Sequence, residues 1–178
     1  MEESLVTYDK IPTGHPIATI VMSNNKKIVV ELYPEYAPQT VANFVKLAKE
    51  GFYNGLTFHR IVKDFVAQGG DPSGDGTGGS DAYIKGEFLA NGFTQNTLKH
   101  TRGVISMARS NHPDSASSQF FICYDDAEML DGQYAAFGKV KTGMEVVDAF
   151  TEGEMTTNSA GEPVSPKELI VIKSITIK

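Results

Sequence analysis

Residues 58–71 read Phe-His-Arg-Ile-Val-Lys-Asp-Phe-Val-Ala-Gln-Gly-Gly-Asp. Within this stretch, Arg60 and Gln68 stand among aliphatic and aromatic neighbours, an arrangement that a strand of a closed core would avoid. Gly69 and Gly70 then carry no side chain, so another backbone segment or a ligand can approach closely. The stretch therefore predicts a mostly apolar pocket that contains two oriented hydrogen-bonding groups.

The length and composition of the chain are those of an ordinary globular domain. Its 178 residues are 40% hydrophobic and 21% charged, and a chain of this size buries roughly 70% of the surface that its unfolded form exposes. The sequence contains neither an internal repeat nor a low-complexity block. We expect a single domain over residues 1–178, in which residues 1–15 form an N-terminal extension.

The charge balance and the lack of long apolar runs restrict the partners that the chain can have. Its 16 lysines and arginines are outnumbered by 22 acids, for a formal charge of −6, whereas a nucleic-acid partner needs clustered positive charge. The sequence has no apolar run of about 18 residues and no apolar N-terminal run of signal-peptide length. We therefore expect a cytoplasmic protein that binds neither nucleic acid nor membranes. Because no heptad pattern is present, we expect a monomer.

Hydrophobic patterning predicts short strands and two helices. Residues 17–22 and 27–32 are β-branched runs joined by a turn-like tetrapeptide, which indicates a hairpin. Pro38 and the apolar residues spaced after it indicate a helix over about residues 38–50. Thr142 and Glu145 match the capping-box pattern at the start of a second helix, which should be about ten residues long.

The remaining segments are expected to be extended pieces and loops. Short extended segments are expected at residues 56–62, 65–68, 103–108, 119–123 and 135–140. We expect the last strand, within residues 168–178, to pair with the first, and residues 153–165 to form a surface loop. Many short strands with few helices are typical of a barrel or a sandwich.

The glycine-rich segment 71–79 matches two binding patterns only in part. Gly74, Gly76 and Gly79 have the spacing of a dinucleotide-binding motif, but no helical run follows them. Asp71 could begin a calcium loop, yet Ala82 stands where such a loop needs a bidentate glutamate. We expect a glycine-rich turn beside a groove.

Other candidate reactive groups lack the neighbours that their chemistry needs. The four histidines, at positions 15, 59, 100 and 112, do not have metal-ligand spacing, so we expect neither a metal nor a cofactor. Cys123 lies in an apolar run, where burial would leave its thiol unreactive. A Ser-His-Asp triad could be assembled from the available residues, but no Gly-x-Ser-x-Gly motif frames a nucleophile, and a hydrolase remains a weak alternative.

Seven short segments form one pattern that runs from about residue 16 to the C-terminus. They are Phe-His-Arg-Ile (58–61), Gln-Gly-Gly-Asp (68–71), Gly-Thr-Gly-Gly (76–79), Leu-Lys-His (98–100), Ser-Met-Ala (106–108), Ser-Gln-Phe-Phe-Ile (118–122) and Leu-Asp-Gly (130–132). In their order and spacing these segments resemble the cyclophilins, which are peptidyl-prolyl cis/trans isomerases.

The resemblance implies a mainly β fold, an eight-stranded antiparallel cyclophilin-like β-barrel capped by two α-helices. It implies an isomerase that assists protein folding and acts on proline-containing peptides and on unfolded or partly folded proteins. Carried over by matching motif, the catalytic positions are Arg60, Phe65 and Gln68. The substrate-binding positions are Val66, Ala108, Arg109, Gln119, Phe121, Met129, Leu130 and Tyr134.

Four of these positions depart from well-studied eukaryotic members. Val66, Met129 and Tyr134 stand where those members have methionine, tryptophan and histidine, and Arg109 replaces an asparagine. The departures resemble a bacterial branch of the family. Because methionine lacks the flat surface and the indole donor of tryptophan, we expect weak cyclosporin binding.

The chemistry of Arg60 suits the implied reaction. Its permanent positive charge and fixed fork of donors can stabilise a twisted prolyl amide without a covalent step. The alternative is a proline-peptide binding module or chaperone in which catalysis is incidental. The presence of an arginine at position 60 favours the isomerase.

Overall fold

The computed structural model describes residues 5–178 and has one curled antiparallel sheet of eight strands. The strand order is β10-β1-β2-β7-β5-β6-β4-β3. The strands of this sheet are β1 (Ile17–Met22), β2 (Lys27–Leu32), β3 (Arg60–Val62), β4 (Val66–Gly69), β5 (Val104–Met107), β6 (Phe120–Cys123), β7 (Ala136–Thr142) and β10 (Ile172–Ile177). β8 (Met155–Thr156) and β9 (Ser165–Pro166) form a separate two-stranded sheet.

Two α-helices and three short 3-10 turns complete the fold of the described residues. The helix α1 (Pro38–Lys49) packs against β10, and α2 (Met144–Ala149) packs against β2. The 3-10 turns are Leu89–Asn91, Glu128–Leu130 and Phe150–Glu152. The predicted fold, mainly β with eight antiparallel strands and two helices, is confirmed.

The first hairpin forms because burial alternates along both of its strands. Every second residue of β1 is buried, and Ile20 lies opposite Ile28 of β2 in the antiparallel register. Asn25 adopts a positive φ of 69° in the connecting turn, a conformation that asparagine tolerates better than most residues. β10 pairs with the other edge of β1, as predicted for the last strand.

The two edges of the sheet are joined by hydrogen bonds between the segments that precede β3 and β10. Phe58 N donates to Ile170 O at 3.0 Å, and Ile172 N donates to Leu56 O at 2.7 Å. Thr57 forms a bridge to Val171 on one side and to Asp71 on the other. The predicted strand at residues 56–62 is therefore a regular strand only from Arg60 onward. The residues before Arg60 instead bond to the segment at the start of β10 and so close the barrel.

An aromatic cluster fills the barrel interior, and α1 contributes Phe44 to it. Phe44 of α1 lies 5.3 to 5.6 Å, centroid to centroid, from Phe120 and Phe137. The helix begins with Pro38 and ends before Gly51, whose φ is +74°, in agreement with the prediction from proline and glycine. Its free N-terminal N–H groups are capped by the distant Glu87, which accepts from Gln39 N and Thr40 N at 3.1 and 2.6 Å.

The predicted capping box at Thr142 is wrong. Thr142 ends β7, and the N-cap of α2 is Gly143, which makes no side-chain cap hydrogen bond. Its φ of +91° favours glycine, and a Cβ there would collide with the carbonyl oxygen of Lys27. α2 has six residues and is followed directly by a 3-10 turn, so it is shorter than the ten residues predicted.

The segment predicted as a surface loop, 153–165, contains β8 and reaches β9. Val164 accepts a hydrogen bond from Ile61 N at 2.8 Å, which ties this hairpin to β3. The connection between the two short strands is therefore held close to Arg60.

The N-terminal segment packs on the barrel where the structure describes it. Val6 N donates to Tyr83 O at 2.9 Å, and Tyr8 Oη donates to Asn43 Oδ1 at 2.7 Å. Residues 1–4 of the predicted 1–15 extension lie outside the described residues. Over residues 5–178, no helix is long and apolar enough to cross a membrane.

Candidate functional site

The register of three neighbouring strands sets Arg60, Gln68 and Phe121 side by side. Arg60 on β3 is paired with Gln68 on β4, and Gln68 is paired with Phe121 on β6. Directly paired residues point to the same face of a sheet. The neighbouring row, Ile61 with Ala67 and Ile122, points to the opposite face and joins the main core.

The face that carries Arg60 bears a second apolar cluster, separate from the main core. Phe121, Val66 and Leu130 are buried in it. The cluster is completed by Ala108, Cys123 and Ala127, with Val62, Phe65 and Tyr134 packed against it. The apolar neighbours of Arg60 in the sequence therefore belong in part to this cluster and in part to the barrel interior.

A cavity of about 190 Å³ opens into the second cluster. Nine described residues line it: Arg60, Phe65, Val66, Gln68, Ala108, Arg109, Phe121, Leu130 and Tyr134. All nine are among the eleven site positions that the sequence predicted. Six of the nine lining residues are apolar or aromatic, and Arg60, Gln68 and Arg109 supply polar groups.

Gln119 and Met129 are the two predicted positions that do not line this cavity. Gln119 faces an adjoining cavity of about 250 Å³ and reaches the site through its hydrogen bond to Gln68. Met129 lies in a 3-10 turn and is 69% exposed, whereas the next residue, Leu130, is 9% exposed and faces the cavity.

A chain of side-chain amides connects Arg60 to the glycine-rich segment. Arg60 Nη1 donates to Gln68 Oε1 at 3.4 Å, and Gln68 Nε2 donates to Gln119 Oε1 at 2.9 Å. Gln119 Nε2 in turn donates to the carbonyl oxygens of Gly78 and Gly76 at 2.8 and 3.1 Å. Each amide uses both of its ends, so the orientation of Gln68 is fixed from two sides.

A carboxylate approaches the guanidinium of Arg60 from the β8–β9 connection. Glu162 Oε2 lies 3.9 Å from Arg60 Nη2, and the two side chains are 49% and 30% exposed. An exposed pair at this separation contributes at most about 1 kcal/mol. The charge of Arg60 is therefore only weakly offset.

The glycine-rich segment uses its own N–H groups internally. The buried carboxylate of Asp71 accepts from Gly76 N at 2.6 Å, Ser73 N at 2.8 Å and Asp75 N at 3.1 Å. A phosphate would need those donors, and a calcium ion would need the carboxylate oxygens. The segment is a turn at the edge of the groove, as predicted.

Three residues form a Ser-His-Asp arrangement inside the protein. His100 Nε2 lies 2.8 Å from Ser106 Oγ, and His100 Nδ1 lies 3.0 Å from Asp131 Oδ1. Ser106 is 0% exposed, so a substrate cannot reach its hydroxyl. The three side chains have the geometry of a catalytic triad, but a substrate has no access to the serine. The arrangement therefore does not support a hydrolase.

His100 instead supports the wall of the cavity. Its ring stacks on Phe121 with centroids 6.0 Å apart and planes at 21°, and burial lowers its pKa against the opposing effect of Asp131. The sequence indicated His100 and Ser106 only as parts of matching segments. Their contact with each other and with Phe121 arises from strand pairing, which no local pattern contains.

The thiol of Cys123 is also enclosed. Cys123 is 0% exposed, and burial raises its pKa to about 12. No thiolate forms near neutral pH, in agreement with the prediction of an unreactive thiol. Over the described part of the chain, no group of three or more histidine, cysteine, aspartate or glutamate side chains has the arrangement of a metal site.

Comparison with known proteins finds one family. Residues 17–177 match the model of the cyclophilin type peptidyl-prolyl cis-trans isomerases. Peptidyl-prolyl cis-trans isomerase B of Bacillus subtilis is 47% identical over 135 residues, which cover 76% of this chain and 90% of that protein. Peptidyl-prolyl cis-trans isomerase ppi1 of Schizosaccharomyces pombe is 43% identical over 145 residues, which cover 81% and 90% of the two chains.

A solved structure agrees over nearly the whole chain. It is that of a Cryptosporidium parvum cyclophilin type peptidyl-prolyl cis-trans isomerase in the presence of the dipeptide Ala-Pro, with 31% identity and a TM-score of 0.77. The match covers 91% of this chain and 98% of that one. Bacterial and fungal relatives are similar to this chain at comparable identity, so identity alone does not assign it to the bacterial branch.

Proposed function

The chain belongs to the cyclophilin-type peptidyl-prolyl cis-trans isomerases, and we propose that Arg60 catalyses its reaction at the 190 Å³ cavity, whose apolar residues receive the proline ring. The observation that carries this proposal is the position of Arg60. Its guanidinium lies at the edge of a cavity walled by aromatic and aliphatic side chains, and Gln68 holds it there.

The reaction is the rotation of an X-Pro peptide bond. Rotation breaks the conjugation of the amide, which sets a barrier of about 20 kcal/mol and an uncatalysed time of tens to hundreds of seconds. In the twisted transition state the prolyl nitrogen becomes pyramidal and basic. A donor aimed at that nitrogen stabilises the transition state more than either planar isomer, and this difference is what accelerates a reaction.

Arg60 supplies that donor, and the cavity supplies the anchor. Phe65, Phe121 and Tyr134 offer flat apolar surfaces to a pyrrolidine ring, and Leu130 and Val66 close the floor. The cavity holds the proline ring still while the carbonyl group of the preceding residue rotates about the prolyl bond. Gln68 and the backbone near Arg109 are proposed to hold the flanking peptide groups.

The free energies expected for these interactions are compatible with a donor from Arg60 and an anchor from the cavity. An acceleration of about 10⁵-fold would require about 7 kcal/mol of differential stabilisation. A charge-assisted hydrogen bond supplies about 1.5–3 kcal/mol, and a half-buried guanidinium beside apolar side chains acts in a lower dielectric than water provides. Orientation of the bound peptide must supply the remainder.

We propose proline-containing segments of unfolded or partly folded proteins as the substrates. The cavity recognises a proline ring and its backbone, features that occur in many sequences. The related Cryptosporidium parvum isomerase was solved with Ala-Pro, the smallest peptide of this class. A monomer suffices for this reaction, because all nine residues that line the cavity come from one chain.

The decisive experiment measures isomerisation of an X-Pro peptide by NMR exchange, with the Arg60→Ala and Arg60→Lys variants. Arg60→Ala should lose more than tenfold in kcat and change peptide affinity far less. Arg60→Lys keeps the charge without the planar fork and should recover part of the rate. Arg102→Lys is the matched control, because Arg102 pairs with Asp148 and does not line the cavity.

Two outcomes would contradict the proposal. Wild-type rates in a folded Arg60→Ala variant would remove Arg60 from the chemistry. Binding of proline peptides without any acceleration by the wild-type protein would instead indicate a binding module. Spectra of the folded state should be unchanged in all three variants.

A further inference from the structure

The guanidinium of Arg109 is held between two aromatic rings. Its Cζ lies 4.7 Å from the ring centroid of Phe88 and 4.7 Å from that of Tyr134. Both distances are within the range of cation–π interactions. Tyr134 lines the 190 Å³ cavity and packs edge-on against Phe121 at 5.7 Å, so Arg109 is attached to a wall of the proposed proline site.

Hydrogen bonds to carbonyl oxygens fix the same guanidinium. Nη2 and Nε donate to Gln133 O at 2.6 and 3.2 Å, and Nη1 donates to Ser110 O at 2.9 Å and Asn111 O at 3.5 Å. A guanidinium has five N–H groups, so at least one remains available. None of the ion pairs found within residues 5–178 involves Arg109, and all of its partners are neutral.

Arg109 also lines the adjoining cavity of about 250 Å³. The two cavities share Gln68, Ala108 and Arg109 as walls. The lining of the second cavity includes several hydroxyl-bearing residues, but the hydroxyls of Thr77, Ser80, Ser110 and Ser115 donate to other protein groups. Among its described lining residues, Arg109 is the only one with a permanent charge. A guanidinium that is fixed in position is a group that binds a carboxylate.

Two acids next to lining residues in the chain, Asp75 and Asp114, make hydrogen bonds elsewhere. Asp75 Oδ1 accepts from Thr77 N and Thr77 Oγ1 at 3.0 and 2.6 Å. Asp114 Oδ1 accepts from Gly86 N and Asn91 Nδ2 at 3.0 and 2.9 Å. Neither lines the cavity, so the charge of Arg109 is not offset by a carboxylate within it.

We infer that Arg109 is a specificity-determining residue that makes this isomerase prefer substrates with an acidic side chain close to the proline. This inference rests on the proposed function, because it takes the smaller cavity as the proline site. An extended peptide advances about 3.3 Å per residue, so a residue one or two positions from the proline reaches the adjoining cavity. Because the guanidinium is already held by rings and carbonyls, binding a carboxylate orders little more of the protein.

The test compares peptides that differ only in glutamate or glutamine, placed in turn at each position from two before to two after the proline. The two side chains have the same shape and differ in charge. For the wild-type protein, kcat/KM should favour glutamate by about three- to tenfold at one or more positions. The difference should appear in KM, and about 0.5 M salt should reduce it.

Variants of Arg109 separate its charge from its shape. Arg109→Gln should abolish the preference, and Arg109→Lys should keep part of it because the charge remains. Arg102→Gln is the matched control and should keep the full preference, because Arg102 donates to Asp148 and Tyr124 O away from both cavities.

Each result decides the inference. Equal rates for glutamate and glutamine at all four positions, or a preference that survives Arg109→Gln, would overturn it while leaving the isomerase function standing. No isomerisation of any peptide would overturn both. If Arg109→Gln does not fold, equal rates for glutamate and glutamine in the wild-type protein would still overturn the inference, and a smaller preference in Arg109→Lys than in the wild-type protein would still support it.

Discussion

Gln68 donates a hydrogen bond of 2.9 Å to Oε1 of Gln119. Gln68 also accepts from Arg60, and Gln119 donates to the carbonyls of the glycine-rich segment. The guanidinium proposed to act on the prolyl nitrogen is thereby oriented by a turn more than fifteen residues away in the chain. The geometry of the site depends on that segment as well as on the strands.

Replacing Gln119 with glutamate tests this dependence. The Gln119→Glu change keeps the size of the side chain but removes the donor and places a carboxylate against the carbonyls of Gly76 and Gly78. Two lost hydrogen bonds correspond to about 1–3 kcal/mol, so kcat/KM should fall by about fivefold or more. Gln95→Glu is the matched control, because Gln95 also donates to a backbone carbonyl, that of Glu35, at an exposed site. Unchanged kinetics in Gln119→Glu would mean that Gln68 keeps Arg60 in place without the hydrogen bonds from Gln119 to the glycine-rich segment.

The exposed Met129 predicts weak cyclosporin binding. Its side chain is 69% exposed and lies outside the lining of the cavity, so it offers a ligand neither a flat surface nor a donor. Met129→Trp adds both, and the exposure of the position leaves room for the larger ring. Calorimetry should show at least about a tenfold gain in affinity, which is about 1.4 kcal/mol. Tight binding by the wild-type protein would contradict the prediction.

The rate of isomerisation should be nearly independent of pH between about pH 6 and 8. The nine residues that line the cavity include no histidine, cysteine or carboxylate, and the charge of an arginine does not change in this range. Burial lowers the pKa of His59, next to Arg60, and of His100, beneath Phe121, so the titration of both is shifted to lower pH. A bell-shaped profile in the folded protein would indicate acid–base catalysis instead.

Protein stability, in contrast, should depend on pH below about 6.5. Burial holds the pKa of His100 below its ordinary value, so the unfolded chain takes up a proton at a pH where the folded protein does not. The free energy of unfolding therefore falls as the pH drops through that window, by up to about 1.4 kcal/mol per pH unit for each such group. Urea unfolding between pH 5 and 8 should show a shallower slope for His100→Asn. Part of the pH dependence of the unfolding free energy should remain in this variant because of His59. An unchanged pH dependence would contradict the contribution assigned to His100.

Cys123 should react with a thiol reagent only when the protein unfolds. The thiol is fully enclosed, and its pKa is raised to about 12, so the native protein at pH 8 contains almost no accessible thiolate. Labelling should be slow in buffer, should accelerate through the urea transition, and should reach one thiol per chain after denaturation. Rapid labelling of the native protein would show that β6 opens locally.

Local sequence patterns predicted the elements in which burial alternates regularly. The bounds of β1 and β2 agree with the prediction, and α1 ends one residue before the predicted limit. The start of α2 was wrong because a capping-box pattern at Thr142 competed with strand pairing of β7, and the pairing prevailed. The cap that α1 does have comes from Glu87, 47 or 48 residues away along the chain.

The sequence by itself determined that a cation and an amide stand among apolar residues of one short stretch, which predicted an apolar pocket with two hydrogen-bonding groups. Resemblance to a family, rather than spacing, supplied the other positions. Only the tertiary structure decided that nine of the eleven predicted positions line one cavity, that Ser106 and His100 are closed to solvent, and that Arg109 is held between Phe88 and Tyr134. These relationships depend on strand register and barrel closure, which arise from contacts between residues far apart in the chain and leave no local pattern.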